Sequence, residues 1–333
     1  MKAKLLLAAL AGLGLGTALV VYYGLDAVGS DFLAAGWRGL AAITAFQLFP
    51  VAACGLAWRI ISKTARRRSS FVFLWARYIR DGIGNLFALI PGAGEIAGVR
   101  ALALHGIDAR LAAATTIVDM TAELLAQAAF TAIGLLLLFH DRPGEPILYW
   151  GAWGLAFAIP AALGFFIAQR AGLFKLVDPI VERFAQSFRY AQGNDGGGPK
   201  LHEAIMALYR RPGRISASFL IHLAAWILAG AGTWVALQFI GHPLPLSQAI
   251  VIESLVFALR SAAFIVPWGA GIQEGGYVVV GAVFGLPPEA ALAISLLKRA
   301  RDLVLGVPAA AAWQLLEGQR IWRRTKAHPH SGE

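Results

Sequence analysis

Two glutamates stand directly after breaks in apolar sequence, and they are the side chains best placed for polar chemistry in this chain. Glu95 follows the segment 91–94 (PGAG), and Glu274 follows the segment 267–273 (PWGAGIQ). A proline or glycine break frees backbone amides, and the short helix that restarts there presents N–H groups that attract an anion or pair with the local carboxylate. The residues that we expect to form the two breaks are Pro91, Gly92, Gly94, Pro267, Gly269 and Gly271.

The residues downstream of each glutamate repeat at the same spacing. A glycine lies 11 residues after each glutamate. Counted from that glycine, a charged residue follows at 13 residues and an acidic residue at 17 residues. A glycine-loosened break that recurs in both halves of a membrane protein points to a binding site between two transporter-like repeats. The repeated positions are Glu95, Gly106, Asp119 and Glu123 in one half and Glu274, Gly285, Lys298 and Asp302 in the other.

The charged residues after each glycine lie four apart, so each pair shares one face of a helix. An ionisable side chain in the middle of a membrane span costs about 2.5–3.5 kcal/mol. We therefore expect Asp119 with Glu123, and Lys298 with Asp302, to line a polar path together with the two glutamates. Lys298 and Asp302 could equally form an ion pair within their helix.

Four arginines complete the candidate site because they could attract an anion to the breaks: Arg80, Arg100, Arg260 and Arg301. For Arg80 and Arg100 a place at the cytoplasmic membrane surface is an equal alternative, and Arg301 could extend to the nearer surface. We expect Arg77 at that surface. For the two glutamates we predict one specific outcome. Glu95→Gln and Glu274→Gln should each abolish transport and leave membrane insertion intact.

Composition places these charged residues in a membrane protein. The chain has 333 residues, of which 58% are hydrophobic and only 14% charged, against roughly 25% charged in soluble domains. The net charge of +10 would suit nucleic acid, but no nucleic-acid motif is present, and basic residues in membrane proteins collect in cytoplasmic loops. The single cysteine, Cys54, excludes an intrachain disulfide and a metal site built on several cysteines.

The apolar runs predict an all-α, polytopic bundle that forms one domain over residues 1–333. A span needs about 20 mostly apolar residues. Two further apolar regions, 71–104 and 247–284, contain the breaks and predict two re-entrant hairpins of broken helices. The predicted spans are Leu5–Gly24, Leu40–Ile61, Ala112–Phe139, Ile147–Ala168, Ile215–Ile240 and Ala290–Leu316.

Loop charges predict how these elements are oriented. Basic residues concentrate at the N-terminus, in 63–68, in the connection 169–213 and near the C-terminus, which the positive-inside rule assigns to the cytoplasm. The segment 26–38 and the turns 140–146, 241–246 and 285–289 then lie outside. The two hairpins enter from opposite faces, so repeat one (about 40–139) and repeat two (about 215–316) form an inverted repeat. Apolar spacing in Leu173–Tyr190 predicts an amphipathic helix on the cytoplasmic membrane surface.

Polar grooves beside apolar walls suit a substrate with one polar and one apolar end, so membrane lipid is the expected partner and nucleic acid is not. No P-loop, nucleophile elbow or zinc-binding helix is present, and we expect no enzyme activity, cofactor or metal. One rival is a lipid-phosphate transferase in which Asp119 and Glu123 bind a divalent ion. Another rival function is that of a scaffold for lipid-synthesis enzymes. The sequence is also compatible with a homodimer.

The pattern Asn85-x5-Pro91-Gly92-Ala93-Gly94-Glu95-x4-Arg100, followed by Gly106 and Asp119, resembles the transmembrane-region family of lysylphosphatidylglycerol synthases. The later segment from Pro267 to Glu274, with Gly285, resembles it too. The likeness covers roughly residues 1–320, and the chain also resembles the subgroup associated with hopanoid biosynthesis. The first break reads Gly-Ala-Gly-Glu where Gly-Gly-Glu is expected in much of the family, so headgroup specificity does not transfer residue by residue.

The resemblance implies a lipid flippase in a bacterial inner membrane, with both termini in the cytoplasm. In that family the aminoacyl-transferring domain is a separate C-terminal region, which this sequence lacks. The implied activity is therefore lipid translocation without aminoacyl transfer. The implied cargo is a hopanoid or an anionic phospholipid of the phosphatidylglycerol type.

Overall fold

The computed structural model describes residues 2–62, 70–173, 200–263 and 266–327. Within these ranges the protein is all α-helical, with eleven α-helices, one short 3-10 turn at Pro267–Gly269 and no strand. The helices are α1 (Lys2–Tyr23), α2 (Leu25–Ile61), α3 (Ser70–Leu86), α4 (Ala93–Leu104), α5 (Ala109–Asp141), α6 (Pro146–Arg170), α7 (Leu201–Tyr209), α8 (Pro212–Phe239), α9 (Leu246–Ala262), α10 (Ile272–Ala282) and α11 (Pro288–Ala327).

Four helices of the described chain are long and apolar enough to cross a membrane: α2, α5, α6 and α8. They contain four of the six predicted spans, and the protein is an all-α polytopic membrane protein. The predicted first span corresponds to α1, of which the stretch Leu10–Tyr23 is apolar but shorter. The predicted last span lies within α11, whose charged residues Lys298 to Asp302 lower its hydropathy.

The segment 26–38, predicted to lie outside the membrane between two spans, is mostly helical, because α2 begins at Leu25. Its place outside the membrane stays a prediction. Between Leu25 and Ile61 the backbone leaves helical geometry only at Gly36, with φ 54° and ψ −166°. Gly36 therefore divides α2 into two helical stretches that meet at a kink. The connections predicted at 140–146, 241–246 and 285–289 do separate consecutive helices.

The first break separates α3 from α4. Helix α3 ends at Leu86 and α4 begins at Ala93, so Pro91 and Gly92 lie in the gap, where both are exposed. Gly92 caps α4 in the left-handed conformation, with φ 80°. Gly94, inside the first turn of α4, faces the backbone of α3, and a Cβ there would lie 3.0 Å from the Cα of Gly84. The short helix therefore folds back tightly onto the helix before it.

The second break separates α9 from α10 and differs in that it is covered. Pro267, Gly269, Ala270 and Gly271 are buried. Helix α1 packs against the 3-10 turn and against α10. A Cβ on Gly271 would lie 2.8 Å from the carbonyl oxygen of Gly12. The small residues of α1 therefore let its backbone approach the break closely.

Helices α2 and α8 pack against each other at the centre of the molecule. Around them the two halves exchange partners: α5, which follows the first break, packs on α9, and α11, which follows the second break, packs on α3. Buried apolar residues of the second half, such as Ile252 and Ile294, form one core with Ile43 of α2. Trp58 and Phe73 belong to a second core in the first half.

Both halves have a long helix, a 17-residue helix, a break, a short helix and a second long helix in the same order. Their inverted orientation stays a prediction. The helix predicted at Leu173–Tyr190 and the basic segment 63–68 lie outside the described residues, apart from Leu173. A short helix that the sequence did not predict, α7, packs on α5 through buried residues that include Leu201 and Ile205.

Candidate functional site

A cavity of about 420 Å³ lies between the two halves of the molecule. Residues of α2, α3, α4 and α5 line one part, and residues of α8, α9, α10 and α11 line the other. Five basic and five acidic side chains border it, and most of them lie near the middle of their helices. They are Arg77, Arg80, Arg260, Lys298 and Arg301, and Asp81, Glu95, Glu123, Glu253 and Asp302.

In the first half, two arginines of α3 bind two acids of α5, and we call this group the arginine cluster: Arg77, Arg80, Asp119 and Glu123. Arg77 donates to both oxygens of Glu123, at 2.7 and 3.0 Å. Arg80 donates to Asp119 at 3.0 Å and to Glu123 at 3.3 Å. Their spacing of three residues puts both arginines on one face of α3, and the four-residue spacing does the same for the acids of α5. Charge-assisted and partly bidentate bonds thus hold the two helices together.

Asp119 is fully buried and has a further partner from the other half of the chain. The Nε2 atom of His222, on α8, lies 2.9 Å from Asp119 Oδ1. The other ring nitrogen of His222 is buried without a hydrogen-bond partner among the described residues. The central helix α8 therefore ties the arginine cluster to the second half.

In the second half, one acid accepts three hydrogen bonds, and we call this group the lysine cluster: Lys298, Glu253, Thr233 and Tyr277. Glu253 Oε2 accepts from Thr233 and from Tyr277, each at 2.7 Å, and also from the ammonium of Lys298. Lys298 donates in addition to Thr233 at 2.7 Å. The predicted alternative of a pair between Lys298 and Asp302 is therefore wrong, because the lysine reaches across to α9.

Asp302 pairs with its neighbour Arg301 at 2.7 Å. Arg301 also donates to Gln47 of α2 at 2.9 Å. This contact mirrors that of His222, since here a polar residue of the first half holds a charged group of the second. Both halves of the chain thus contribute polar groups to the wall of the cavity.

The two predicted glutamates occupy different surroundings. Glu95 lies in the cavity wall, its side chain 35% exposed, with Arg80 at 3.6 Å. Glu274 is buried and is not among the residues that line the cavity. It accepts from Arg299 at 2.7 and 3.1 Å, from Ser295 at 3.0 Å and from the backbone N–H of Gly271 at 2.8 Å.

The predicted arginines divide in the same way. Arg80, Arg260 and Arg301 line the cavity. Arg100 does not, because it binds Glu317 on α11. The expectation that Arg77 lies at the membrane surface is wrong: its side chain is 7% exposed and contacts Glu123. Its position in the third turn of α3, three residues before Arg80, was the available sign that it shares a face with that residue.

Glu253 and His222 are polar groups of the network that the sequence prediction did not place in the site. Glu253 is an isolated acid in the apolar run of α9. Burying a lone carboxylate among apolar residues costs free energy, so its position there was a signal of a functional or paired group. His222 carried no such signal, since one neutral histidine in an apolar helix is compatible with ordinary packing. The partner of each lies 45 or more residues away in sequence.

One group in the described part of the chain could supply metal ligands: Cys54, Glu123 and His222, whose ligand atoms lie within 4.8 Å of one another. Arg77 and Arg80 already bind Glu123, so a cation there would compete with two guanidinium groups for the same carboxylate. Asp119 and Glu123, the predicted ligands of a divalent ion in a transferase, face the same two arginines. This arrangement suits a polar network better than a cation site.

Chemically, the cavity offers paired charges and hydrogen-bond donors at the depth of membrane-spanning helices. Such a surface can offer hydrogen-bond and ion-pair partners to a polar or charged group. No curated protein and no solved structure shows a significant match to the chain. The family profile described as lysylphosphatidylglycerol synthase TM region matches residues 6–310. Since that match covers most of the chain, the protein belongs to the family of lysylphosphatidylglycerol synthase transmembrane regions.

Proposed function

We propose that the protein translocates an amphipathic lipid across the membrane and performs no aminoacyl transfer. The headgroup crosses through the central cavity, while the apolar tail stays in contact with the surrounding lipid. The observation that carries this proposal is the cavity itself, whose charged wall comes from both halves of a membrane-embedded bundle. Membership of the family supports it, because the sequence resemblance implies lipid flipping.

The size of the cavity favours a headgroup over a whole lipid. About 420 Å³ lies within the range of sites that hold small molecules. A headgroup fits such a volume, and two acyl chains do not. The apolar residues Phe87, Leu89 and Ile90, next to the first break, are 41–58% exposed and offer the tail a surface outside the cavity.

The finer features of the proposal come from the sequence. The membrane is the inner membrane of a bacterium, both termini lie in the cytoplasm, and the two halves have inverted topologies. The cargo is a hopanoid or an anionic phospholipid. The charged groups of the cavity wall support transport because they offer a headgroup ion-pair and hydrogen-bond partners in place of water.

Leaflet-resolved translocation in proteoliposomes tests the proposal. The full chain is reconstituted with a fluorescent phosphatidylglycerol or a fluorescent hopanoid analogue, and the probe that reaches the outer leaflet is quenched over time. Wild-type protein should accelerate translocation of at least one probe. Glu95→Gln should slow it by about tenfold or more, since Glu95 is the loosely paired carboxylate of the wall.

The matched control is Glu203→Gln, because Glu203 is an exposed acid on α7 that does not line the cavity. Its translocation rate should equal that of the wild type. If well-folded wild-type protein moved neither probe, the translocase proposal would be wrong, and the transferase and scaffold alternatives would gain.

A further inference from the structure

Arg260 lies where the central cavity joins a second, smaller cavity of about 200 Å³. Four residues line both spaces: Asn85, Arg260, Gln273 and Asp302. The smaller cavity is also bordered by Leu303, which is 57% exposed on the outer surface of α11. It therefore lies beside the central cavity, toward the exposed outer face of α11.

Arg260 differs from the other cations of the central cavity in its partners. Arg77, Arg80, Lys298 and Arg301 each have a carboxylate oxygen within 4 Å. In the described parts of the chain, Arg260 has no such carboxylate. Its guanidinium carbon lies 5.1 Å from the centre of the Phe257 ring instead.

Two acids near this space have other cations as partners. Asp302 lines the same space, and Arg301 holds its Oδ1 atom through two hydrogen bonds. Glu253 is held in the lysine cluster. Arg260 is thus a half-buried positive charge facing a polar space, and an anion is the ligand that such a charge favours.

We propose that Arg260 binds the anionic group of a lipid headgroup, a phosphate or carboxylate, at a side entrance to the central cavity. This inference rests on the proposed function and makes it more specific, because it names an anionic lipid as the cargo. Gln273 and Asn85 border the same space with polar side chains. The tail of the lipid lies against Leu303 and against Phe87, which is 44% exposed.

A binding experiment with purified full-length protein tests the assignment. The probes are a phosphatidylglycerol, a monoglucosyl diacylglycerol with the same acyl chains and no charge, and inorganic phosphate as a competitor. Phosphatidylglycerol should bind the wild type, and Arg260→Gln should weaken that binding about tenfold or more. Arg260→Lys keeps the charge and should retain most of the affinity.

The Gln variant should fold, because removing Arg260 leaves no described carboxylate without its ion-pair partner. Arg38→Gln is the matched control, since Arg38 is an exposed arginine outside both cavities. Unchanged phosphatidylglycerol binding by Arg260→Gln would overturn the assignment. So would an equal loss of glycolipid binding, which would indicate a packing role. Inorganic phosphate that competes as strongly as the lipid would assign the site to free phosphate and overturn the lipid assignment.

The translocation assay separates this inference from the proposed function. Binding that depends on Arg260, without translocation of any lipid by the wild type, would leave the anion site in place and contradict the translocase. Translocation by Arg260→Gln at the wild-type rate for both an anionic and an uncharged lipid would contradict the anion site and leave the translocase intact.

Discussion

The two breaks of the chain are alike in sequence and differ in what surrounds them. The first, at Pro91 and Gly92, is exposed, and the glutamate that comes after it lies in the cavity wall. The second is covered by α1, with Pro267, Gly269 and Gly271 buried, and Arg299 binds its glutamate. The same local sequence thus builds a loosely held element in one half and a tightly held element in the other.

The charge clusters of the two halves differ in a second way. In the first half the cations Arg77 and Arg80 precede the break and the acids follow it on α5. In the second half the acid Glu253 precedes the break and the cation Lys298 follows it on α11. Asp119 and Lys298 stand at equal spacing from their glycines, so the repeated position keeps an ionisable group and reverses its sign.

The largest effect should come from the lysine cluster, because a single cation balances its acid. Lys298→Met would leave Glu253, 4% exposed, with neutral donors only. Removing one partner of a buried ion pair typically costs about 3–5 kcal/mol of the free energy of unfolding. Arg80→Met should cost less, since Asp119 keeps His222 and Glu123 keeps Arg77. Unfolding of the purified variants in mixed micelles measures both.

The double variant Lys298→Met/Glu253→Met is the control for this prediction. Removing both partners leaves no unpaired charge, although the hydroxyls of Thr233 and Tyr277 lose their acceptor. Part of the lost stability should therefore return. Equal stabilities for Lys298→Met and Arg80→Met would contradict the proposed difference between the clusters.

A smaller effect should separate the glycines of the two breaks. Gly271 and Gly92 both have positive φ, 74° and 80°, so alanine at either position costs about 1–2 kcal/mol in backbone strain. At Gly92 the space for a Cβ is open. At Gly271 the Cβ would lie 2.8 Å from the carbonyl oxygen of Gly12 and 2.9 Å from the Cβ of Leu15, so α1 must move. Overpacking of this kind adds about 1–3 kcal/mol.

Thermal unfolding of Gly271→Ala and Gly92→Ala in the same detergent compares the two positions. The melting temperature of Gly271→Ala should be the lower one. A lower melting temperature for Gly92→Ala would mean that α1 does not hold the second break in place.

The sequence alone predicted the two breaks and most of the membrane spans. Proline and glycine inside apolar runs predicted both breaks, since these residues cannot continue a helix at low cost. Length and hydropathy predicted the spans. The segment 26–38 lies between two predicted spans, so it was expected to be a connection, and the apolar pattern did not reveal that α2 begins at Leu25.

Ion-pair partners were the least predictable feature. Spacing along one helix suggested a pair of Lys298 with Asp302, but Lys298 binds Glu253, 45 residues earlier in the chain. Arg77 likewise binds Glu123, 46 residues away. The choice between a neighbour on the same helix and a partner on another depends on how α3, α5, α9 and α11 pack. Local periodicity does not contain that information.

The smallest expected loss of stability, and the most informative contrast, concerns the two glutamates. Glu274 accepts four hydrogen bonds, and Glu274→Gln would turn an amide NH₂ toward donors that it now satisfies. Bonds to a charged group are worth about 1.5–3 kcal/mol, reduced here because Arg299 is 29% exposed. Within the described ranges, Glu95 has Arg80 as its one ion-pair partner, at 3.6 Å, so Glu95→Gln should cost less than about 1 kcal/mol.

Transport should rank the same two variants in the opposite order. Glu95→Gln changes the cavity wall and should slow lipid translocation while the protein stays as stable as the wild type. Glu274→Gln weakens the covered break and should lower the melting temperature, with translocation per folded molecule close to that of the wild type. Sequence symmetry alone predicted that both variants abolish transport with insertion intact. If both variants lost transport equally and were equally stable, the two glutamates would have the same role, as the sequence repeat predicts. That result would contradict the division of roles between the two breaks.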